Sequence, residues 1–205
     1  MNIDSALIPI GGKGTRLKSY SSKPKLLTNL NDKPLINYTL ENLSKQGLKN
    51  IFLISNNSSE LIEDHCSLLC KELCLNLVIL REKNFCGNFG GIIENYQKIP
   101  SEFFVVYPDL LWTCDLKRII NYHQINQSSI TLIVRRTDHA FDSDTVKLNP
   151  YMRVKKLYSK VKGTKFEKWQ ENDLFGATGM YLMNKNFLLK ANNTKDYLNK
   201  EIDLF

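Results

Sequence analysis

The residues most able to do chemistry open the chain. In the segment LIPIGGKGTRL, an apolar run (residues 7–10) passes directly into Gly11, Gly12, Lys13, Gly14, Thr15 and Arg16. Glycines allow the backbone to approach an anion and aim its N–H groups at it, while Lys13 and Arg16 add positive charge. That is the chemistry of a triphosphate cradle, and a purely structural turn is the other reading of such a run. Two common phosphate motifs are excluded by spacing. A P-loop needs four residues and then Gly-Lys-Ser/Thr, and the dinucleotide fingerprint needs Gly or Ala where Leu17 stands. Asp109, in FFVVYPDLL, follows a second apolar run, so its carboxylate falls where open α/β sheets bind ligands. A loop or helix-capping aspartate is the alternative there.

These residues require strands to hold them. Apolar segments of strand character at residues 6–10, 51–55, 75–80, 103–107 and 130–134 alternate with segments of helical period. The alternation predicts an α/β fold with a mixed, mostly parallel sheet and helices on both faces, a Rossmann-like three-layer α/β/α arrangement. One helix is expected from about Ile36 to Gln46, with Ile36, Leu40 and Leu43 on one face and Gly47 as its stop. A second is expected from Ser58 or Ser59 to about Leu73. The stretch DTVKLNPYMRVKKLYSKV predicts an antiparallel excursion around an Asn149-Pro150 turn. An apolar strand over residues 176–183 and a short helix over 184–191 follow.

The composition sets outer limits. The chain has 205 residues, 42% of them apolar and 24% charged, enough for one substantial core, and a single domain is expected. No run approaches the roughly 20 apolar residues of a membrane span, and a cytoplasmic protein is expected, with no membrane or nucleic-acid partner. The net charge of +7 favours anionic partners without choosing among them, and the lysines form no run of an RNA-binding type. Five cysteines form no CxxC pair and read as reduced thiols. Cys66, Cys70 and Cys74 beside His65 share a helical stripe, which suits either a buried face or a metal site.

The glycine loop, followed by Pro24-Lys25 and by Lys33-Pro34-Leu35-Ile36, resembles the sugar nucleotidyltransferases, whose pattern reads L-x-x-G-G-x-G-T-R-L, P-K-x-L, then K-P-L-I before a helix. Length and spacing look most like the branch acting on heptose 1-phosphate or mannose 1-phosphate with a guanine nucleotide. The resemblance implies transfer of a nucleotidyl group from a nucleoside triphosphate to a sugar 1-phosphate, with Mg2+ as cofactor. It implies a nucleotide-binding part over about residues 1–110 and a sugar-phosphate part over about 111–205. Arg16 would contact the triphosphate and the departing pyrophosphate, and Lys25 would bridge the sugar phosphate and the α-phosphate. CGNFGGIIENY resembles the family's L-G-T-A-G-A segment, a glycine turn opening a helix that holds the nucleobase and sugar, with Gly87, Gly90 and Gly91 at the matching positions. Asp109 matches the magnesium aspartate of N-G-D. KFEKWQENDLFGATGMYLMN resembles F-x-E-K and N-A-G-x-Y, so Glu167, Lys168, Gly179 and Tyr181 would form the sugar-phosphate pocket.

Departures from the pattern keep rivals open. Ala177 stands for the family's asparagine and Pro108 for a glycine, and KEIDLF resembles the family's E-K-D-L-F-P-K-L, after which the resemblance implies a segment with a second metal aspartate that these 205 residues lack; either the sequence is a piece of a longer protein, or Asp142 or Asp144 supplies the ligand, or catalysis is lost. A non-catalytic sugar-nucleotide binder and transfer to a phosphorylated alcohol such as phosphocholine are the alternatives. A homo-oligomer is compatible with the sequence.

Overall fold

The computed structural model describes residues 3–11, 23–83, 89–136, 144–158 and 174–188. In chain order these form β1 (Ser5–Pro9), a small hairpin of β2 (Asn29–Leu30) and β3 (Lys33–Pro34), α1 (Leu35–Lys45), β4 (Asn50–Ser55), α2 (Glu60–Glu72) and β5 (Asn76–Arg81). Then come α3 (Gly90–Glu94), β6 (Glu102–Val106), α4 (Leu116–Ile125), β7 (Ile130–Arg136), β8 (Thr145–Leu148), β9 (Val154–Tyr158) and β10 (Leu174–Asn184).

An eight-stranded sheet runs β5-β4-β1-β6-β10-β8-β9, with β7 pairing β10. The β5-β4-β1-β6 half is parallel and β10 lies antiparallel to β6, so the sheet is mixed. The strand side chains explain why both faces are covered. In β1, Ala6 and Ile8 join a cluster with Ile36, Leu40 and Leu43 of α1 and Ile62, Cys66 and Leu69 of α2. Leu7 points the other way, into a cluster with Phe89 and Ile92 of the α3 region, Phe103 and Val105 of β6, and Tyr181 of β10. A strand buried at four consecutive positions, Ser5 to Ile8, needs a layer on each side, which yields the three-layer arrangement. Each fully buried Leu or Ile contributes about 1.5–3 kcal/mol.

Local signals set the element ends. Gly47 takes φ +88, its N–H bonds to the Ser44 carbonyl and the Leu48 N–H reaches the Leu43 carbonyl, which closes α1 where a left-handed residue is needed. Asp115 caps α4 by accepting from the N–H groups of Lys117 and Arg118 at 2.9 and 3.3 Å. The β8–β9 turn is held by Asn149 Oδ1, which accepts from the N–H groups of Tyr151 and Arg153. Strand β5 begins one residue later than the apolar pattern suggests, because the Leu75 N–H is still closing the end of α2 on the Cys70 carbonyl.

Burial pushes the Cys66 thiol up to about 12, with Cys70 nearby adding to the shift, and the Cys70 thiol up to about 11. Both are therefore protonated and chemically quiet at neutral pH. His65 Nε2 is 2.7 Å from Asn37 Oδ1 of α1, so it ties α2 to α1. Among the described residues no helix is long and apolar enough to cross a membrane.

Candidate active site

The parallel strands are visited in an order that reverses between β1 and β6. The chain moves from β1 outward to β4 and β5, then returns to place β6 on the opposite side of β1. Neighbouring crossovers leave a crevice at the carboxyl ends of the strands at such a point. Gly11 lies just past β1 and Asp109 just past β6, one on each side of it.

Lys25 reaches the same place from a short 3-10 turn (Lys25–Leu27) set up by Pro24, whose φ of −53 and ψ of 140 turn the chain into it. Buried Leu26 anchors the turn in the core, and the Leu27 N–H bonds to the Pro24 carbonyl. With its neighbour held inward, Lys25 projects outward, and its Nζ lies 2.6 Å from Asp109 Oδ2. The two side chains are 38% and 39% exposed, so the pair stands open to an incoming ligand.

Asp109 is positioned by contacts on the two residues before it, Tyr107 and Pro108. The Tyr107 N–H bonds to the Gly179 carbonyl at 3.2 Å, and Thr39 Oγ1 donates to the Pro108 carbonyl at 3.4 Å. Gly179 has φ +73, and a Cβ there would lie 3.0 Å from the Tyr107 ring and 3.4 Å from Leu110. Glycine is required at that position for both its conformation and its lack of a side chain. The register slip between Ala177 and Tyr181 in the pairing of β10 with β7 falls at this residue. Tyr181 meets the Tyr107 ring edge-on at 6.3 Å and the Phe89 ring at 5.9 Å. Three segments distant in sequence are thereby locked together.

A second cluster sits beside Gly11. Asn56 Nδ2 donates to the Gly11 carbonyl at 2.6 Å, and Glu82, just past β5, is 8% exposed. A Cβ on Gly11 would fall 2.8 Å from Glu82 Oε1, and one on Gly91 would fall 3.0 Å from Glu82 Oε2 and clash with Ile54. The two glycines make room for the Glu82 carboxylate. Burial holds its pKa above the usual carboxylate range and the negative charge of Glu94 adds to this, while the Gly91 N–H opposes it. Glu82 was not among the residues singled out from sequence. Its flanking Arg81 and Lys83 make it look like surface, and the usable signal is its place at the end of a strand directly before a glycine turn.

Of the sequence-predicted residues, the structure brings Lys25 and Asp109 into contact and sets Gly11 against Glu82. It places Gly179 behind the tripeptide that carries Asp109, and puts Gly90 and Gly91 in the first turn of α3. Gly12, Lys13, Gly14, Thr15, Arg16, Gly87, Glu167, Lys168 and Asp142 lie outside the described residues. Asp144 precedes β8, and its carbonyl accepts from the Ala177 N–H. A 560 Å³ groove lined by Lys33, Tyr38, Glu41, Leu111 and Trp112 adjoins the Asp109 loop without including Lys25 or Asp109.

The family model for nucleotidyl transferases matches residues 5–204. The chain belongs to that family. It is 31% identical over 132 residues to a D-glycero-alpha-D-manno-heptose 1-phosphate guanylyltransferase from Campylobacter jejuni, a match covering 64% of the chain and 57% of that protein. It is 29% identical over 144 residues to a mannose-1-phosphate guanylyltransferase regulatory subunit alpha from Dictyostelium discoideum, covering 66% of the chain and 35% of that protein. The chain thus spans about a third to a little over half the length of these relatives. The crystal structure of HddC from Yersinia pseudotuberculosis complexed with GMP-PN superimposes with a TM-score of 0.73 at 22% identity, covering 99% of this chain and 85% of that one. That likeness bears on the fold, which is the three-layer mixed-sheet arrangement described above.

Proposed function

We propose that this chain transfers a nucleotidyl group from GTP to a sugar 1-phosphate, heptose or mannose 1-phosphate being the acceptors in view, and releases pyrophosphate. The observation that carries the reading is the exposed Lys25–Asp109 pair at the point where the strand order reverses. A phosphate oxygen of the sugar attacks the α-phosphorus in line with the departing pyrophosphate, with no covalent enzyme intermediate. Both partners are anionic, so the chemistry needs cations placed between them. The Lys25 ammonium offsets the repulsion between the two phosphates, and Arg16 takes up charge on the leaving pyrophosphate. Residues 11–15 cradle the triphosphate with backbone N–H groups, and Gly87 lets the base approach. Glu167, Lys168 and Gly179 form the acceptor pocket, within the part of the chain from about residue 111 to 205.

The family implies a divalent metal, and the donors suit magnesium. Asp109 is a single accessible carboxylate, and among the described residues no group of three His, Cys, Asp or Glu side chains forms a protein-only cage. Magnesium is ordinarily held by one or two carboxylates together with substrate phosphates. Asp109 would hold it, and the ion would neutralise and align the phosphates.

Glu82 supports guanine as the base. A carboxylate offers two acceptors side by side, and guanine presents two adjacent donors on its Watson–Crick edge, N1–H and N2–H. The experiment is formation of a GDP-sugar from GTP and each acceptor with magnesium. A second reading, a sugar-nucleotide binder without turnover, draws on Ala177 and Pro108 and on the similarity to a protein named as a regulatory subunit. It predicts GTP binding with no pyrophosphate release.

A further inference from the structure

We infer that the outer edge of β5 is a docking edge for a second copy of this chain, pairing antiparallel about a two-fold axis at Val78. Among the described residues β4 is the strand that pairs β5, and β5 ends the sheet. The N–H groups of Asn76 and Glu82 bond toward β4, to the carbonyls of Lys49 and Ser55. By the two-residue period of a strand, Leu77 and Ile79 turn their N–H and C=O groups outward. The Arg81 carbonyl also faces outward and accepts from Asn95 Nδ2 at 3.3 Å, which closes that end of the edge, while no strand of the described residues pairs with its centre. Val78 and Ile79 are 39% and 37% exposed.

The identity of the occupant follows from comparing the two ends of the sheet. At the other end, β9 reads VKKLY, with Lys155 and Lys156 exposed and Lys156 already opposite Lys147. Two-fold pairing of β9 centred on either lysine sets like charges face to face, the usual protection of an edge strand. Strand β5 reads NLVILR and lacks that protection. Centred on Val78, its self-pairing puts Val78 opposite Val78, Leu77 opposite Ile79 and Asn76 opposite Leu80. No like charges meet, and the outward Leu77 and Ile79 groups form the hydrogen-bonded pairs. The only charge on the strand, Arg81, is neutralised within its own copy by Glu63 at 2.7 Å. An apolar strand that is its own complement fits a second copy better than an unrelated partner.

In this register the two Val78 residues form a non-hydrogen-bonded pair, the closest kind of cross-strand contact, with Cα atoms about 4.5 Å apart. Sedimentation velocity over a concentration series is expected to show a reversible dimer. Val78→Lys and Val78→Glu, each checked for folding by circular dichroism, should each weaken it by about tenfold or more, and a mixture of the two should restore it. Val78→Cys treated with a mild thiol oxidant should give a linked dimer beyond the wild-type background, since the spacing suits a disulfide. Ile79→Cys should not. A chain that stays monomeric throughout, a dimer indifferent to both charges, a mixture that fails to reassociate, or equal cross-linking at residues 78 and 79 would overturn the proposal.

Discussion

Lys25 Nζ and Asp109 Oδ2 are 2.6 Å apart although 84 residues separate them in the chain. An ion pair this exposed contributes about 0–1 kcal/mol to stability, because water and salt screen it and two long side chains must be ordered. The contact therefore has little to do with holding the fold. Under the proposed function it would hold a cation and a carboxylate side by side at the crevice, each neutralised by the other until phosphate and metal bind.

Lys25→Met should accordingly cost turnover and spare folding. Losing one positioned charge or donor typically slows a reaction by about a hundred- to a thousandfold, while loss of about 1 kcal/mol moves Tm by only about 2–4 °C in a chain of this size. Kinetics paired with thermal melting test this, and near-wild-type turnover by Lys25→Met would remove Lys25 from the mechanism.

Lys25→Met should also tighten the binding of Mn2+, used as a spectroscopic stand-in for magnesium, in the absence of nucleotide, because the Lys25 ammonium competes with the metal for Asp109. Titration followed by electron paramagnetic resonance reads this independently of catalysis. Unchanged or weaker binding would show that the ion pair does not occupy the metal's carboxylate.

Glu82 supplies a pH signature. Its carboxyl pKa is raised in the folded state, chiefly by burial. The sign follows from linkage: protonated Glu82 favours the fold, so its contribution is fully present below the unfolded value of about 4.3 and is lost as pH rises through the folded value. Glu82→Gln should therefore raise Tm at neutral pH, with the difference from wild type shrinking as pH falls toward 4. If the side chain also reads guanine, the same variant should weaken GTP relative to other triphosphates. Thermal melts across pH test the first statement and competition binding the second, so either can fail alone.

Gly179→Ala tests the backbone that positions Asp109. A side chain at φ +73 pressed against Tyr107 should cost about 1–3 kcal/mol, lowering Tm by several degrees. Displacement of residues 107–109 should reduce turnover as well. A variant with wild-type melting and wild-type rate would mean that the close contact is readily relieved.

The extent to which the sequence could be read depended on how local each signal was. Strands β1, β4, β5 and β6 are continuous apolar runs, and α1 carries a regular stripe closed by Gly47, so both were legible without tertiary context. The α4 helix, LKRIINYHQI, was not, because Leu116 and His123 are its buried residues and the rest of its surface is polar or partly exposed. The interior position of β10 between β6 and β8 depends on pairings between segments far apart in the chain. At the site, Lys25 and Asp109 stood out through motif and strand-end position, but their contact could not be foreseen from either. Glu82 stayed hidden because its burial is made by Gly11 and Gly91, which approach from other segments.

The most direct test is pyrophosphate release with magnesium, over the four nucleoside triphosphates crossed with heptose 1-phosphate, mannose 1-phosphate, other sugar 1-phosphates and phosphocholine. Release with GTP and a sugar 1-phosphate is expected, slowed about a hundred- to a thousandfold in Lys25→Met and accompanied by an equal amount of GDP-sugar. Release with phosphocholine and with no sugar phosphate, or GTP binding without release from any pair, would contradict that expectation.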